Sequence, residues 1–295
     1  MWEGGRDLGA KPSSLQFLNV RPMNSGDRPP RTDWFILAIG NTRLHWAWAI
    51  GSTLKQSWDT PHAAAELVDT VGVQQAIAHL AMSAAPNCDL LQAVAMFHGS
   101  EPPPLWIASV VPPQTNLWQR YCRSRLLTLA DIPLQNLYPS LGIDRALSLW
   151  GAATTVGTPV LVIDAGTALT LTGADTAIGL VGGAILPGLR LQYQALAHDT
   201  AALPAVPLPL GLPSSRWATN TADAIHSGIL YGVLAGIEAA IAAWLTDFPE
   251  SAIAFTGGDS PRLHAYLAQL NSTLAARIVV DQQLLFRGLL SQVFY

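Results

Sequence analysis

Residues 159–175 combine an apolar strand, a carboxylate and a small turn that carries a hydroxyl group. The apolar run leads into Asp164, and Gly166 and Thr167 follow shortly after it. Apolar runs on both sides of a glycine turn predict a β-hairpin. Because Gly166 has no Cβ, backbone N–H groups can approach an anion closely, and Thr167 adds a hydroxyl donor. Asp164 stands at the strand end, where a cation could bind. The stretch therefore predicts a phosphate-binding turn beside a cation site.

A similar pattern occurs earlier, in residues 34–49. An apolar strand ends at Ile39, the turn residues Gly40, Asn41 and Thr42 follow, and a second apolar strand begins. One such turn is weak support for a binding site, because most turns of this composition only reverse the chain. Two of them about half a chain apart predict a duplicated fold that holds a nucleotide between its halves.

A third pattern, G-I-D-R, precedes an apolar stretch with helical periodicity. An aspartate near a helix N-terminus interacts well with the helix dipole, so a plain helix start is one interpretation of Asp144. The other interpretation makes Asp144 a general base and Arg145 a bidentate ligand for a substrate carboxylate. The T-G-G-D sequence at residues 256–259 is likewise either a turn or a second backbone contact for a nucleotide. The residues alone leave both pairs of alternatives open.

Composition limits the class of protein. The chain has 295 residues, of which 50% are hydrophobic and 12% are charged, which predicts a large core and roughly two domains. A net charge of −4 without a basic stripe argues against nucleic acid as a partner. Cys88 and Cys122 show no metal-ligand spacing. We therefore expect a reduced cytoplasmic protein without a disulfide framework.

The N-terminal stretch and the most apolar stretch bear on targeting. Residues 1–31 are rich in Gly, Pro, Ser and Arg and lack the apolar centre of a signal peptide. We predict that they are disordered and that Met23 is a candidate start of translation. Residues 228–245 are barely long enough to cross a membrane and include Glu238. A buried amphipathic helix is the preferred interpretation, so no membrane partner is expected.

The order of elements predicts the fold class. Each half begins with three strands and continues with alternating helices and strands, which predicts an α/β fold with mixed sheets opened by hairpins. We place the domain boundary after residue 157, giving domains 32–157 and 158–295. Residues 116–127 are predicted to be helical, and residues 133–138 to form a short strand.

A predicted helix over residues 221–245 carries a stripe of small residues. Gly228, Gly232 and Gly236 recur every four residues, so they lie on one face. Each glycine costs a helix about 1 kcal/mol relative to alanine, so a packing reason is expected. The stripe predicts close approach of another helix, either inside the fold or at a dimer interface.

In their order along the chain, these motifs resemble the type III pantothenate kinases, which belong to the actin/hexokinase/Hsp70-like superfamily. The resemblance runs from about residue 35 to the C-terminus. It rests on G-N-T at 40–42, A-S-V-V-P at 108–112, G-I-D-R at 142–145, D-A-G-T-A at 164–168, G-G-A-I-L-P-G at 182–188, N-T-A-D-A-I-H-S-G at 220–228 and T-G-G-D at 256–259. The fold that it implies has two duplicated actin-like (ribonuclease H-like) domains, each a mixed sheet flanked by helices.

The resemblance also implies an activity. Type III pantothenate kinases phosphorylate the primary hydroxyl of pantothenate with ATP and produce 4'-phosphopantothenate, in the first step of coenzyme A biosynthesis. The implied cofactors are ATP, Mg²⁺ and a monovalent cation, either K⁺ or NH₄⁺. The implied assembly is a cytoplasmic homodimer.

Residue roles follow from the resemblance by position. Asp164 would bind the monovalent cation, and Asp144 would accept the proton of the hydroxyl group. The residues implied to bind pantothenate are Gly142, Ile143, Asp144, Arg145 and Thr221. Those implied to contact ATP are Ala38, Ile39, Gly40, Asn41, Thr42, Arg43, Leu44, His45 and Thr167.

Two positions depart from the family pattern. Ala38 replaces an aspartate two residues before the turn glycine, and Gln135 replaces the substrate-binding tyrosine. Tyr138, three residues further on, is a candidate replacement for that tyrosine. Ala38 favours a non-catalytic regulatory homologue of the same fold, whereas the intact Asp144 and Asp164 favour a kinase. A kinase for another small hydroxy acid is a third hypothesis, because fold does not determine substrate.

Overall fold

The computed structural model describes residues 33–63, 65–84, 93–98 and 102–294. The extension that was predicted to be disordered lies outside these residues. Within them the chain forms two five-stranded mixed sheets with helices on their faces. This architecture confirms the predicted α/β fold.

The first sheet has the strand order β3-β2-β1-β4-β5. Strands β1 to β3 form an antiparallel meander, and β4 and β5 run parallel to β1. The strands are β1 (Asp33–Ile39), β2 (Leu44–Ile50), β3 (Thr53–Thr60), β4 (Leu105–Ser109) and β5 (Ser124–Leu126). The helices of this half are α1 (Ala65–Ala84), α2 (Pro112–Trp118) and α3 (Ile143–Val156).

The second sheet repeats this topology. Its order, β8-β7-β6-β9-β10, matches that of the first sheet strand for strand, with an antiparallel meander followed by two parallel strands. The strands are β6 (Val160–Ala165), β7 (Ala168–Ala174), β8 (Leu180–Pro187), β9 (Ala252–Thr256) and β10 (Ile278–Val280). The helices are α4 (Leu189–Asp199), α5 (Thr221–Asp247), α6 (Ser260–Leu270), α7 (Ser272–Ala275) and α8 (Leu284–Phe294). The matching order confirms the predicted duplication.

A shared central core joins the two sheets. Helices α3 and α8 pack closely on each other and contribute Leu147 and Leu289 to a cluster that also contains Trp34 of β1 and Val162 of β6. Separate outer cores lie between the first sheet and α1 and between the second sheet and α4 to α6. Because side chains from both sheets bury apolar surface in one cluster, the ends of β1 and β6 are held in a fixed relation.

Two predicted elements differ from the structure. The helix predicted at residues 116–127 is wrong in its bounds: α2 already begins at Pro112, because proline is tolerated in the first turn of a helix. The chain after α2 turns and returns as β5, parallel to β4. Residues 133–138 form no strand and make only a single bridge, between Gln135 and Gly179. The boundary placed after residue 157 stays a prediction.

Helix α5 is long and apolar enough, by length and composition alone, to cross a membrane. One such helix is weak support for a membrane span, since a core helix passes the same test. Its residues Leu230, Leu234, Ile237 and Ile241 are buried in the outer core of the second half. One face of α5 therefore packs in a core, as predicted, whereas Gly228, Gly232 and Gly236 on another face are exposed.

Candidate active site

The two hairpin turns predicted to bind phosphate face each other across one cleft. The hydroxyl oxygens of Thr42, after β1, and Thr167, after β6, lie 2.8 Å apart. Gly40 and Asn41 line the cleft from the first half, and Thr167 lines it from the second. Donors from both duplicated halves therefore surround one space, as the sequence predicted.

Asp144 enters this cleft from the start of α3. It occupies the second helical position, where the helix dipole favours a negative charge. Its Oδ1 accepts a hydrogen bond of 2.8 Å from the backbone N–H of Arg145. A Cβ on Gly142 would overlap Oδ1, so glycine is required there for this orientation of the carboxylate. Asp144 thus starts the helix and also presents a carboxylate to the cleft.

Asp164 lies at the end of β6 and lines the same cleft. Burial raises its pKa to about 6, the negative charge of Asp144 contributes to the rise, and His45 partly opposes it. The turn at residues 256–259 closes against Asp164, because a Cβ on Gly257 would overlap its Oδ1, and Gly257 has a φ of 85°. Two carboxylates therefore share a confined space, in which a bound cation would relieve their repulsion.

The described residues offer few further metal ligands. No group of three or more His, Cys, Asp or Glu side chains among them is arranged to hold a metal ion. A cation beside Asp164 would therefore complete its coordination with backbone carbonyls, water or oxygens of a substrate.

Arg145 does not line the cleft and is buried. Its Nε donates to Thr172 Oγ1 at 3.0 Å, its Nη2 to the carbonyl of Leu171 at 3.1 Å, and its Nη1 to the hydroxyl of Tyr138 at 2.9 Å. The side chain of Tyr138 is 41% exposed. Arg145 and Tyr138 therefore form one group, and two of the five guanidinium N–H groups remain for a ligand.

The remaining predicted residues are distributed unevenly. Ala38 and Ile39 line the cleft at the end of β1, and Ile143 lines it beside Asp144. The side chain of Leu44 is buried in an outer core, so only its main chain could contact a nucleotide. Thr221 is exposed at the start of α5 and does not line the cleft.

Sequence reasoning missed three residues around the site. His62 Nε2 lies 2.8 Å from the carbonyl oxygen of Gly40 and so supports the first turn. Leu285 of α8 lines the cleft, and Asp59 of β3 forms a hydrogen bond with His45. None belongs to a motif. For Asp59 alone the sequence offered a signal: pairing β2 with β3 as a hairpin places Asp59 opposite His45.

Comparison with known proteins shows the family of this chain. The model of the type III pantothenate kinase family matches residues 34–243. The chain belongs to this family. A type III pantothenate kinase from Nostoc sp. is 45% identical over 258 residues, which cover 87% of this chain and 92% of the relative. One from Synechocystis sp. is 40% identical, with 89% and 91% of the two chains covered.

A solved structure agrees with the fold. A crystal structure from Campylobacter jejuni, described as a Baf family transcriptional activator, superimposes with a TM-score of 0.53 and 19% identity. The match covers 88% of this chain and 96% of that one. At this identity the likeness concerns the fold alone. It extends across both halves of the type III pantothenate kinase fold described above.

The raised pKa of Asp164 predicts how a substitution changes stability with pH. Because its folded pKa of about 6 lies above the ordinary 3.8, Asp164 favours folding below pH 4 and loses that contribution as pH rises through 6. Replacing it with neutral Asn should raise the free energy of unfolding at pH 8 by about 1–3 kcal/mol in buffer without K⁺ or NH₄⁺. The gain should shrink towards pH 4. Urea unfolding at both pH values measures it.

A matched control is Asp199→Asn, since the side chain of Asp199 is 74% exposed. That variant should follow the wild type at both pH values. The opposite result would be an Asp164→Asn variant that is less stable than the wild type at pH 8 and equally stable at pH 4. That result would contradict a raised pKa of Asp164 in the folded protein.

Proposed function

We propose that the protein transfers the γ-phosphoryl group of ATP to the primary hydroxyl of pantothenate, the first step of coenzyme A biosynthesis, in the cytoplasm. The observation that carries this proposal is the position of Asp144 in the cleft where both hairpin turns meet. Membership of the type III pantothenate kinase family supports the same substrate pair.

Phosphoryl transfer depends on alignment and charge neutralisation more than on covalent chemistry. The backbone N–H of Gly40 donates to the carbonyl of Arg43 within the turn. The N–H groups of Asn41 and Thr42 and the hydroxyl of Thr167 can donate to phosphate oxygens. Asp144 then orients the attacking hydroxyl and accepts its proton. Closure of the two halves around both substrates would exclude water and limit hydrolysis of ATP.

The Arg145–Tyr138 group is a suitable site for the anionic end of pantothenate. Three N–H groups of Arg145 are already fixed by Thr172, Leu171 and Tyr138, so the guanidinium is held in place before a substrate arrives. Its two remaining N–H groups and the Tyr138 hydroxyl can bind a carboxylate. Tyr138 would thereby replace the family tyrosine that is absent at Gln135.

The residues of the cleft fit a monovalent cation better than a protein-held divalent one. Asp164 supplies one partly buried carboxylate, and a singly charged ion such as K⁺ or NH₄⁺ would neutralise it. Ala38 supplies no ligand beside the first turn. Mg²⁺ keeps several waters and takes few protein carboxylates, so ATP and water would hold most of it. When bound with ATP, Mg²⁺ would supply positive charge that offsets the phosphate charge during transfer.

An exposed face of α5 supports a homodimer. It consists of small, uncharged residues: Thr221, Ala224, Gly228, Gly232, Ala235, Gly236 and Ala239. A Cβ on any of the three glycines would meet nothing within 4 Å. The loop before α5 adds Trp217, which is 88% exposed. A second copy packed here would place Thr221 near pantothenate bound in the other subunit, which accounts for its position outside the cleft.

Two rival functions have weaker support. A regulatory homologue is favoured by Ala38, but Asp144 and Asp164 both line the cleft as a kinase requires. The transcriptional activator named in the Campylobacter jejuni structure shares only the fold with this chain. A kinase for another hydroxy acid would use the same phosphate turns and differ at Arg145 and Tyr138.

The Asp144→Asn variant tests the reaction. Wild-type protein incubated with Mg-ATP, K⁺ and pantothenate should form 4'-phosphopantothenate, detected by mass spectrometry. The variant should bind both substrates and lower kcat by about 10²–10⁴-fold, because the hydroxyl loses its proton acceptor. The control Asp199→Asn should keep full activity. Absence of product from the wild type, or unchanged kcat in Asp144→Asn, would contradict the proposal.

Gly232→Leu tests the dimer. The larger side chain should overpack the interface and weaken association, since added methylene groups commonly cost about 1–3 kcal/mol. Light scattering at micromolar concentration should show a wild-type dimer and a partly monomeric variant with lower activity. Ala265→Leu is the matched control, because Ala265 is exposed on α6, another helix of the same half. A wild-type monomer with full activity would exclude this arrangement.

A further inference from the structure

One row of residues crosses the first sheet at the mouth of the cleft. Ala38 of β1 stands directly opposite His45 of β2, and His45 stands directly opposite Asp59 of β3. Directly opposed residues place their side chains on the same face of a sheet. Ala38 also corresponds to Asp164 of the second half, since each lies two residues before its turn glycine. The second half therefore has the carboxylate of Asp164 at this position, where the first half has only the methyl group of Ala38. In the first half, the imidazole of His45 and the carboxylate of Asp59 stand in the same row on the next two strands.

Asp59 fixes the orientation of the His45 ring. Its Oδ1 lies 2.7 Å from His45 Nδ1. Burial alone would raise the pKa of Asp59, but the hydrogen bond and charge of His45, together with the charge of Arg43, hold it below its usual value. An ionised carboxylate only accepts hydrogen bonds, so Nδ1 must carry the proton and donate it. The opposite edge of the ring, with Nε2, is left for another partner.

That edge of the ring faces the first phosphate turn. A Cβ built on Gly40 would lie 3.4 Å from His45 Nε2, and Nε2 and Cδ2 are the ring atoms closest to this glycine. His45 lines the cleft with Asn41 and Thr167. The carbonyl of Gly40 is held from another direction by His62, which keeps the turn in place beside the ring.

We propose that Asp59 is a positioning residue for ATP: it holds His45 so that Nε2–H donates to a phosphate oxygen of the nucleotide. This inference rests on the proposed function and extends it to a residue outside the motifs. With Nδ1–H donated to the carboxylate of Asp59, the Nε2–H that meets the phosphate is the second N–H of an imidazolium ring.

The alanine at position 38 completes the arrangement. A carboxylate there would stand beside the imidazolium on the same face and compete with the phosphate for it. Asp164 also interacts electrostatically with His45, but from the far side of the cleft in the second half. His45 thus presents an N–H donor to the phosphates at the turn where Ala38 supplies no acidic ligand for Mg²⁺, and Asp59 holds that donor in place.

Asp59→Asn and His45→Ala, alone and together, test this inference. Each single variant should raise the KM for ATP about tenfold or more, the effect of losing a charge-assisted hydrogen bond, and leave the KM for pantothenate within twofold. Calorimetric titration with a non-hydrolysable ATP analogue should show the same loss of affinity without turnover. In the His45→Ala background, Asp59→Asn should change ATP affinity less than twofold, because Asp59 acts through His45.

The matched control is Asp69→Asn, which removes an exposed carboxylate that pairs with Arg120 on the same half of the protein. It should leave both KM values unchanged. If Asp59→Asn lowers expression or melting temperature, Asp59→Ser gives the same comparison with a smaller side chain. Additive effects of the two substitutions, or equal losses for ATP and pantothenate, would overturn the role of Asp59. Failure of the wild type to phosphorylate pantothenate would instead refute the proposed function, while the nucleotide titrations would still test Asp59.

Discussion

The repulsion between two carboxylates in one cleft is the constraint around which the rest of this site is arranged. Asp164 ends a buried strand and Asp144 begins a helix, and burial together with their like charge makes the ionised form of Asp164 unfavourable. Such a pair is stable only if cations or hydrogen-bond donors enter the same space. The neighbouring groups are of that kind: an imidazole at His45, hydroxyl groups at Thr42 and Thr167, and the start of a helix.

The fold brings these groups together because its two halves share one core. Asp144 belongs to the first half by sequence, yet its helix α3 packs on α8, which ends the second half. A change in the packing of α3 on α8 would move Asp144 relative to Asp164. The relative position of the two carboxylates is therefore set by apolar packing between these helices, at a distance from the cleft.

Much of this arrangement could be predicted from sequence. The two hairpins had clear signals, because an apolar strand, a glycine turn and a second apolar strand form a local pattern. Helix α5 begins at the predicted residue, Thr221, and ends at Asp247, two residues beyond the predicted end. Helix α2 was misplaced because prolines at its start concealed the helix, and the short β5 has too few residues for a period to be recognised.

The supporting residues of the site were harder to predict. Strand pairing brings Asp59 to His45, and a chain reversal brings His62 to the first turn. Neither residue lies in a motif. The motif order assigned Arg145 to the substrate, but its bonds to Thr172 and Leu171 depend on the contact of α3 with β7, which is a tertiary feature. Thr221 was assigned by position, and its distance from the cleft becomes visible only in the folded chain.

The central claim is that one cleft aligns ATP from both hairpin turns with a hydroxyl group at Asp144. A crystal structure of the complex with a non-hydrolysable ATP analogue, Mg²⁺ and pantothenate tests it most directly. The account predicts the γ-phosphate between the turns of Thr42 and Thr167, and the primary hydroxyl of pantothenate within about 2.6–3.2 Å of an Asp144 carboxylate oxygen. A nucleotide bound outside this cleft, or a hydroxyl directed at a different side chain, would contradict the account.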